Sequence, residues 1–167
     1  AAELADPRQR NQRVRDIEPE DLLGREPVQL DEAGIGATLR GKTVLITGAG
    51  GSIGSELCRQ VARFQPARLV LYELSEFNLY TVEQELGEAF PGLDLVRLIG
   101  DVKDAERLRE TFARFRPAVV FHAAAYKHVP LMEDENAWEA VRNNVYGTLV
   151  VGEAAIAAGV AKFVFIS

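Results

Sequence analysis

Two glycine-rich patterns that can bind phosphate lie close together in this sequence. The first is G-x-x-x-x-G-K-T, in which backbone amides, a lysine and a threonine surround the phosphates of a nucleotide. Its residues are Gly36, Gly41, Lys42 and Thr43. The second is T-G-x-x-G-x-x-G, a turn whose amides face the pyrophosphate of a dinucleotide. Its residues are Thr47, Gly48, Gly51 and Gly54.

The elements that must position these glycines are predicted from the apolar pattern after residue 41. Unbroken apolar runs, typical of parallel strands covered on both faces, alternate with segments of helical period. The runs are VLIT, RLVLYE, LDLVRLIGD, AVVFHAAA and KFVFIS. Five strands alternating with four helices predict an α/β fold, a doubly wound parallel sheet of order 3-2-1-4-5, truncated after its fifth strand. The last and longest helix has an apolar stripe at Trp138, Val141, Val145, Leu149, Gly152 and Ile156.

The position of each glycine pattern relative to the strands decides between them. A G-x-x-x-x-G-K-T loop must follow a strand and open a helix, so that helix-terminal amides face the phosphates. Lys42 and Thr43 instead lead directly into the run VLIT, and charged sequence precedes Gly36. The second pattern has the required context, because a strand ends at Thr47 and an amphipathic helix starts near Gly51. We therefore expect the second pattern to bind the ligand.

Each glycine of the second pattern has its own physical role. Gly48 permits a tight turn, Gly51 lets a pyrophosphate approach bare backbone, and Gly54 lets the helix pack closely on the sheet. The stricter G-x-G-x-x-G frame from Gly48 fails, since position 53 is isoleucine. A tight structural turn without a ligand is the alternative explanation of such a pattern.

Three further features at strand ends favour a dinucleotide. Glu73 closes the second strand, 19 residues after Gly54, where an acid can bond ribose hydroxyls and repel a 2′-phosphate, so NAD is favoured over NADP. Asp101 follows the third strand, at the expected adenine edge. The small residues of His122–Ala125 end the fourth strand and let a flat cofactor lie there. The alternatives are a solvated charge at Glu73, a helix cap at Asp101 and dense helix packing at the alanines.

The composition limits the domain count and the classes of partner. The 167 residues fit one domain, and a net charge of −6 argues against a nucleic-acid surface. The single cysteine, Cys58, excludes an internal disulfide, and no apolar run approaches ~18 residues. We expect residues 1–40, crowded with charges of both signs, to be a linker with a short helix near Leu30–Leu39. Residues 41–167 are predicted to form an NAD-binding Rossmann domain.

Four strings carry a resemblance to a known enzyme superfamily. They are TGAGGSIGSEL, GDVKD, FHAAAYKHVPLME and NNVYGT. Together they resemble the extended short-chain dehydrogenase/reductases. AAAYKHVPLME in particular is similar to their polysaccharide-biosynthesis branch of nucleotide-sugar 4,6-dehydratases, such as the UDP-N-acetylglucosamine 4,6-dehydratases. The segment DLLGREPVQLD resembles the one before the Rossmann core in long, membrane-attached members, so the resemblance covers about residues 20–167.

The resemblance implies a cofactor site assembled from residues that follow the strands. Its members would be Thr47, Gly48, Gly51, Ser52, Ile53, Gly54, Glu73, Asp101, Val102, Ala123, Ala124 and Lys127. The glycine segment and Glu73 would hold the pyrophosphate and the ribose. Asp101 and Val102 would hold the adenine, and Ala123 would lie against the cofactor.

Two residues outside the glycine turn would act near the substrate in this family. Lys127 would reach both the cofactor and the diphosphate of a sugar nucleotide, since an ammonium is a good point charge for phosphate. Asn144 would support the active site by ordering its hydrogen bonds. The alternatives are a solvated loop charge for Lys127, a surface histidine for His128, and a local backbone hydrogen bond for Asn144.

The family's chemistry needs residues that this sequence does not contain. In such dehydratases NAD takes hydride from C4 of the hexose, water is lost across C5–C6, and the hydride returns at C6. The acid–base work requires Tyr-x-x-x-Lys, and none of the four tyrosines fits. Tyr72, Tyr80, Tyr126 and Tyr146 are followed at that spacing by Glu76, Gln84, Pro130 and Val150. We therefore expect no catalytic residue and no metal site here, and an inactive cofactor-binding fragment of a larger lyase.

Two other functions remain open at this stage. A nucleotide-sugar C4 epimerase shares every motif seen here. A non-catalytic NAD-sensing module explains the missing motif without truncation, although YKHVP and NNVYGT are superfluous in a sensor. The expected partners are a UDP-sugar and further copies of the chain in a homo-oligomer, with no nucleic acid and no membrane contact by this part. The expected location is the cytoplasm, either as a free protein or as the cytoplasmic domain of an inner-membrane protein.

Overall fold

The apolar runs form one parallel five-stranded sheet in the computed structural model, which describes residues 30–166. The strands are β1 (Thr43–Thr47), β2 (Arg68–Glu73), β3 (Leu95–Ile99), β4 (Val119–His122) and β5 (Lys162–Phe165). The helices are α1 (Glu32–Leu39), α2 (Ser52–Arg63), α3 (Glu76–Ala89), α4 (Ala105–Phe115), α5 (Val129–Met132), α6 (Ala137–Val141) and α7 (Gly147–Ala157). The strand order β3-β2-β1-β4-β5 confirms the predicted doubly wound arrangement.

The register of the sheet aligns the ends of its three central strands. In β1, Leu45 pairs with Val70 of β2 and with Val120 of β4, and all three side chains are fully buried. Burying an aliphatic side chain of this size contributes about 1.5–3 kcal/mol, which explains why the central runs are unbroken. Two positions further along β1, Thr47 lies between Tyr72 and His122. Because all strands are parallel, this row stands at the carboxyl edge of the sheet.

Helices cover both faces of the sheet and divide the core into two clusters. The cluster on the α1–α2–α3 face includes Leu39, Val44, Ile46, Cys58, Val61, Leu71, Val82 and Leu86. The cluster on the α4–α7 face includes Leu45, Val70, Tyr72, Leu108, Phe112, Val120, Val151 and Ala155. Helices α3 and α4 pack their apolar side chains into these clusters, with Leu86 and Leu108 fully buried.

The amino-terminal part of the described chain is a helix that packs on the core. Helix α1 lies within the predicted range Leu30–Leu39 and buries Leu39 in the first cluster. Thr43 is the first residue of β1, which confirms that the G-K-T residues lead into a strand instead of opening a helix. Most of the predicted linker, residues 1–29, lies outside the described residues.

The last helix lies where it was predicted, but the prediction of which face is buried is wrong. Residues 137–157 are helical throughout, with a π-helical turn at Arg142–Tyr146 between α6 and α7. The face that packs inward comprises Asn143, Gly147, Val150, Val151 and Ala155. The predicted apolar stripe points outward, and Trp138 and Ile156 are 68% and 83% exposed. Both faces of this helix are apolar, and the π turn shifts the phase of its two halves, so periodicity alone does not identify the buried face.

Candidate functional site

A cleft of about 340 Å³ opens at the carboxyl edge of the sheet, where the ends of β1, β2 and β4 meet. The residues that line it are Gly48, Gly51, Tyr72, Glu73, Leu74, Ser75, Asn78, Gly100, Asp101, Val102, Ala123, Ala124, Ala125, Tyr126 and Asn143. This edge is the usual ligand site of open parallel sheets. Seven of the residues predicted from the sequence therefore share one cleft.

The glycine turn between β1 and α2 is sterically confined to glycine. Gly48 has φ of +65°, and a Cβ there would lie 2.7 Å from Cα of Ala124. A Cβ at Gly54 would overlap the carbonyl oxygen of Gly48. Gly51 precedes α2 in extended conformation, and no side chain caps the helix. The first amides of α2 are thereby left open toward the cleft, an arrangement that suits an anion.

Glu73 connects the glycine turn to the end of β2. One carboxylate oxygen accepts a hydrogen bond from the amide of Gly50 at 2.9 Å, and the other accepts from the amide of Ser75 at 3.0 Å. These bonds orient the carboxylate and leave further lone pairs on each oxygen. Glu73 is therefore an ordered acceptor on the cleft wall, unlike the solvated charge that the sequence left as an alternative.

Asp101 follows Gly100, whose amide donates to the Glu73 carbonyl at 3.0 Å, and it is held through both its backbone and its side chain. The hydroxyl of Tyr72 donates to the Asp101 carbonyl at 3.0 Å, and burial raises the pKa of that hydroxyl. The Asp101 carboxylate accepts from the Lys103 amide at 2.9 Å and pairs with the Lys103 ammonium at 2.9 Å. The cap of α4 is Asp104, which accepts from the Arg107 amide, so the cap predicted as an alternative role for Asp101 belongs to Asp104.

The far wall of the cleft is formed by the chain that follows β4. Ala123 and Ala124 line it, and the amide of Ala123 donates to the carbonyl of Thr47 at 3.2 Å. Val102 is buried beneath this wall against Gly147 of α7. The small side chains both let Gly48 approach closely and leave the cleft open above it. Dense packing and room for a flat cofactor are therefore compatible explanations of the alanines.

Five residues predicted to bind the cofactor lie outside the cleft lining, namely Thr47, Ser52, Ile53, Gly54 and Lys127. Thr47 is fully buried, and its hydroxyl lies 2.6 Å from Nδ1 of His122. Ser52 and Ile53 open α2, and Ile53 is 42% exposed. Ser52 and Ile53 instead place their amides in the first turn of α2, which no side chain caps.

The loop with Lys127 stands at the rim of the cleft. The Lys127 side chain is exposed and has no hydrogen-bond or ion-pair partner among residues 30–166. Asn144 holds Tyr126, the residue before Lys127. Its Oδ1 accepts from the Tyr126 amide and its Nδ2 donates to the Tyr126 carbonyl, both at 2.9 Å. His128 is exposed at the start of α5. The structure thus gives Asn144 a backbone contact with this loop, between elements far apart in sequence.

Among the residues of the site that sequence reasoning missed, three make hydrogen bonds that hold it together. Asn143 is buried, lines the cleft and donates from Nδ2 to the carbonyl of Ala124 at 3.4 Å. Gly50 supplies the amide that binds Glu73. His122 is 1% exposed, and burial lowers its pKa to about 4. The only signal for His122 in the sequence is a histidine that ends an apolar run, and that signal does not identify its partners.

Comparison with known proteins assigns the chain to a family. The profile of the family described as "Polysaccharide biosynthesis protein" matches residues 44–167, from the second residue of β1 onward. The chain belongs to this polysaccharide biosynthesis family. The family match agrees with the resemblance seen in the sequence.

Relatives within and near the polysaccharide biosynthesis family include enzymes of nucleotide-sugar metabolism. The capsular polysaccharide biosynthesis protein CapD of Staphylococcus aureus is 49% identical over 155 residues, which is 92% of this chain and 26% of that protein. The UDP-N-acetylglucosamine 4,6-dehydratase (inverting) of Campylobacter jejuni serotype O:23/36 is 34% identical, over 76% of this chain and 36% of the enzyme. The chain therefore spans about a quarter to a third of the length of these relatives.

A solved structure shares the fold of this polysaccharide biosynthesis family member. It is the UDP-glucose-4-epimerase of Stenotrophomonas maltophila with bound NAD and formylated UDP-arabinopyranose, with a TM-score of 0.67 and 25% identity. The match covers 74% of this chain and 36% of that one. Within residues 30–166 there is no cluster of three His, Cys, Asp or Glu side chains that could hold a metal, and no helix long and apolar enough to cross a membrane.

Proposed function

We propose that the cleft at the carboxyl edge of the sheet binds NAD. The observation that carries the proposal is the Glu73 carboxylate, held by the amides of Gly50 and Ser75 beside the open first turn of α2. The anionic pyrophosphate fits the α2 amides, and the ribose hydroxyls fit the free lone pairs of Glu73. Asp101 and Val102 would flank the adenine. The cleft also falls within the usual size range of small-molecule sites.

The charges of the cleft favour NAD over NADP. The described residues that line it include Glu73 and Asp101 and no lysine or arginine. A 2′-phosphate on the adenosine ribose would lie next to Glu73 without a cation to neutralise it. The experiment is calorimetric titration of the full-length protein with NAD and with NADP, and we expect tighter binding of NAD. Absence of heat with both nucleotides, or tighter binding of NADP, contradicts the proposal.

The parent protein is proposed to be a nucleotide-sugar 4,6-dehydratase acting on a UDP-N-acetylglucosamine-like substrate in surface polysaccharide biosynthesis. Bound NAD would supply a transient hydride acceptor for C4 of the hexose, as water is lost across C5–C6. The chain's own residues would bind and orient the reactants. Lys127 is exposed at the rim and its ammonium has no partner among the described residues, so it could pair with an incoming diphosphate. The resemblance of AAAYKHVPLME and the 34% identity to the Campylobacter dehydratase support this choice.

A C4 epimerase is the second candidate, favoured by the structural likeness to the Stenotrophomonas epimerase. The full-length protein incubated with NAD and UDP-N-acetylglucosamine distinguishes the two. A 4-keto-6-deoxy product lacking one water supports the dehydratase, and a C4 epimer of unchanged mass supports the epimerase. If neither product forms, and UDP-sugar does not change NAD affinity, the protein is a non-catalytic NAD sensor. We further propose that the 167 residues alone are inactive, because they contain no Tyr-x-x-x-Lys.

We also propose that the exposed stripe on residues 137–157 binds a second copy of the chain. Trp138, Val145 and Leu149 are 68%, 65% and 55% exposed on this helix. Apolar side chains concentrated on one exposed face are typical of interaction surfaces. Gly152 lies in the same stripe, and a Cβ there would meet nothing within 4 Å, so a second helix could approach closely. The location proposed for the protein is the cytoplasmic side of the membrane, where UDP-sugars would be supplied.

A further inference from the structure

A line of buried and half-buried polar groups runs below the cleft from β1 to α7. It starts at Thr47, whose hydroxyl lies 2.6 Å from Nδ1 of His122. On the other side of the ring, Nε2 of His122 lies 3.0 Å from the hydroxyl of Thr148. The Thr148 hydroxyl in turn donates to the carbonyl of Asn144 at 2.6 Å. The line therefore joins the last residue of β1, the last residue of β4 and the helical segment on the other side of the cleft.

The proton on each atom of this line follows from its partners. A carbonyl oxygen only accepts, so the single hydroxyl hydrogen of Thr148 is donated to the carbonyl of Asn144. The Thr148 oxygen must therefore accept from His122, which places a hydrogen on Nε2. In a neutral ring Nδ1 is then the acceptor, and the hydroxyl of Thr47 donates to it. All the hydrogen bonds point the same way, from β1 toward the helix.

The surroundings of His122 favour the neutral ring. The ring is 1% exposed and lies near the rings of Phe163 and Phe165, at centroid distances of 6.2 and 5.8 Å. Its hydrogen-bond partners are two hydroxyl groups, and no charged side chain of residues 30–166 pairs with it. A second hydrogen on the ring would leave Thr47 without an acceptor and place a charge among aromatic rings.

Each end of the line meets a part of the proposed cofactor site. Thr47 directly precedes Gly48, the first residue of the glycine turn. Asn144, at the other end, holds Tyr126 by both its amide and its carbonyl, next to Lys127. Asn143 adds a bond from its Nδ2 to Oδ1 of Asn144 at 3.1 Å, which orients the clamp. The line thus sets the position of the rim loop relative to the glycine turn.

We infer that His122 is a positioning residue, held as the Nε2–H tautomer by Thr47 and Thr148, that ties the Tyr126–Lys127 loop to the glycine turn. The importance of this tie for ligand binding rests on the proposed function. The tautomer, and the connection between the Tyr126–Lys127 loop and the glycine turn, do not rest on the proposed function, because they follow from the contacts of this chain alone.

The test uses the full-length protein labelled with ¹⁵N at histidine, with the His122 signals assigned by their loss in His122→Asn. We expect the His122 ring to show a protonated Nε2 and an unprotonated Nδ1 at neutral pH, with exposed His128 as the internal reference. The amide of Tyr126 should be protected from hydrogen exchange, because it donates to Asn144. A protonated Nδ1 in His122 overturns the inference, whether or not NAD binds.

Thr148 provides a matched pair of variants. T148V keeps the shape of the side chain and removes the hydroxyl, whereas T148S keeps the hydroxyl. We expect T148V to speed exchange of the Tyr126 amide and to weaken NAD binding about tenfold, the size of one lost buried hydrogen bond, while T148S stays near wild type. Equal Tyr126 exchange in T148V and T148S, with both folded, contradicts the inference. If Tyr126 exchange differs between T148V and T148S as expected but no NAD binding is detected in any of the proteins, only the proposed function is contradicted.

Discussion

Glu73 has two roles in the cleft. It orders the glycine turn through hydrogen bonds, and it carries the negative charge beside the proposed ribose site. Its two oxygens accept from the amides of Gly50 and Ser75. A neutral side chain of the same size can keep at most part of these bonds and no longer repels phosphate. On the proposed function, we expect the preference for NAD over NADP to depend on this carboxylate.

For Glu73→Gln we expect NAD affinity to fall about tenfold and the preference for NAD over NADP to shrink by a similar factor, because a hydrogen bond to a charged acceptor is lost together with the repulsion. Calorimetry with both nucleotides measures this. Glu76→Gln is the control, since Glu76 is exposed in the first turn of α3, outside the cleft. An unchanged NAD to NADP ratio in Glu73→Gln shows that the carboxylate does not select the nucleotide.

His122 makes the stability of the fold depend on pH. Burial lowers its pKa to about 4, against about 6.5 in an unfolded chain. The unfolded state takes up this proton first, so the free energy of unfolding decreases as pH falls from 6.5 toward 4. At about 1.4 kcal/mol per pH unit, the full loss is roughly 3 kcal/mol. Urea unfolding at several pH values in this window measures it.

The comparison that isolates His122 is with His122→Asn, because carboxylates also titrate in this window. The difference in the free energy of unfolding between wild type and His122→Asn should shrink as the pH is lowered. His128→Asn is the control for removing a histidine, since His128 is exposed. Unfolding free energies of wild type and His122→Asn that run parallel from pH 7 to pH 4 would show that His122 does not bear this pKa.

At the scale of elements, the packing of α2 on the glycine turn depends on a missing side chain. A Cβ at Gly54 would overlap the carbonyl oxygen of Gly48, within the turn that positions the α2 amides. We expect Gly54→Ala to lower the free energy of unfolding by about 1–3 kcal/mol and to abolish NAD binding, because α2 must move away from the turn. Chemical denaturation and calorimetry check the two effects.

Gly87 in α3 provides the matched control for this substitution. It is also helical, and a Cβ there would meet nothing within 4 Å. Alanine at this position should raise stability by about 0.5–1 kcal/mol, since glycine is the poorer helix former. Equal effects of Gly54→Ala and Gly87→Ala would mean that the close approach of α2 to the turn is unimportant.

At the scale of the whole molecule, the outward stripe on residues 137–157 is the surface that we propose to bind a second copy of the chain. Leu149→Glu places a charge in the middle of the stripe at a side chain that is already 55% exposed. If a second copy covers this face, the full-length protein should dissociate to a smaller species in sedimentation or light scattering, with its unfolding free energy per monomer nearly unchanged.

Tyr80→Glu is the control for the stripe. Tyr80 is 61% exposed on α3, on the other face of the sheet. It should leave the assembly intact, because it lies on the face of the sheet away from the stripe on residues 137–157. A full-length Leu149→Glu protein that keeps its assembly state contradicts the proposed role of the stripe, and points to another part of the same chain as its cover.

Local physical chemistry was sufficient to predict the strand order and the glycine turn from the sequence. Unbroken apolar runs alternating with helical periods specify a parallel sheet, and its carboxyl edge must gather the residues that follow each strand. Gly48, Gly54 and Glu73 were identified in this way, because their roles depend on a turn, a close approach and a strand end that are all visible in the order of residues.

Other features were decided only by the tertiary structure, since they depend on partners distant in sequence. The face of residues 137–157 that packs inward could not be predicted, because both faces are apolar and a π turn lies between them. His122 and Thr148 are 26 residues apart, and their bond exists only because β4 and α7 meet. Periodicity determines which elements form and roughly where they end, whereas the pairing of buried polar groups is determined by the packing of those elements against one another.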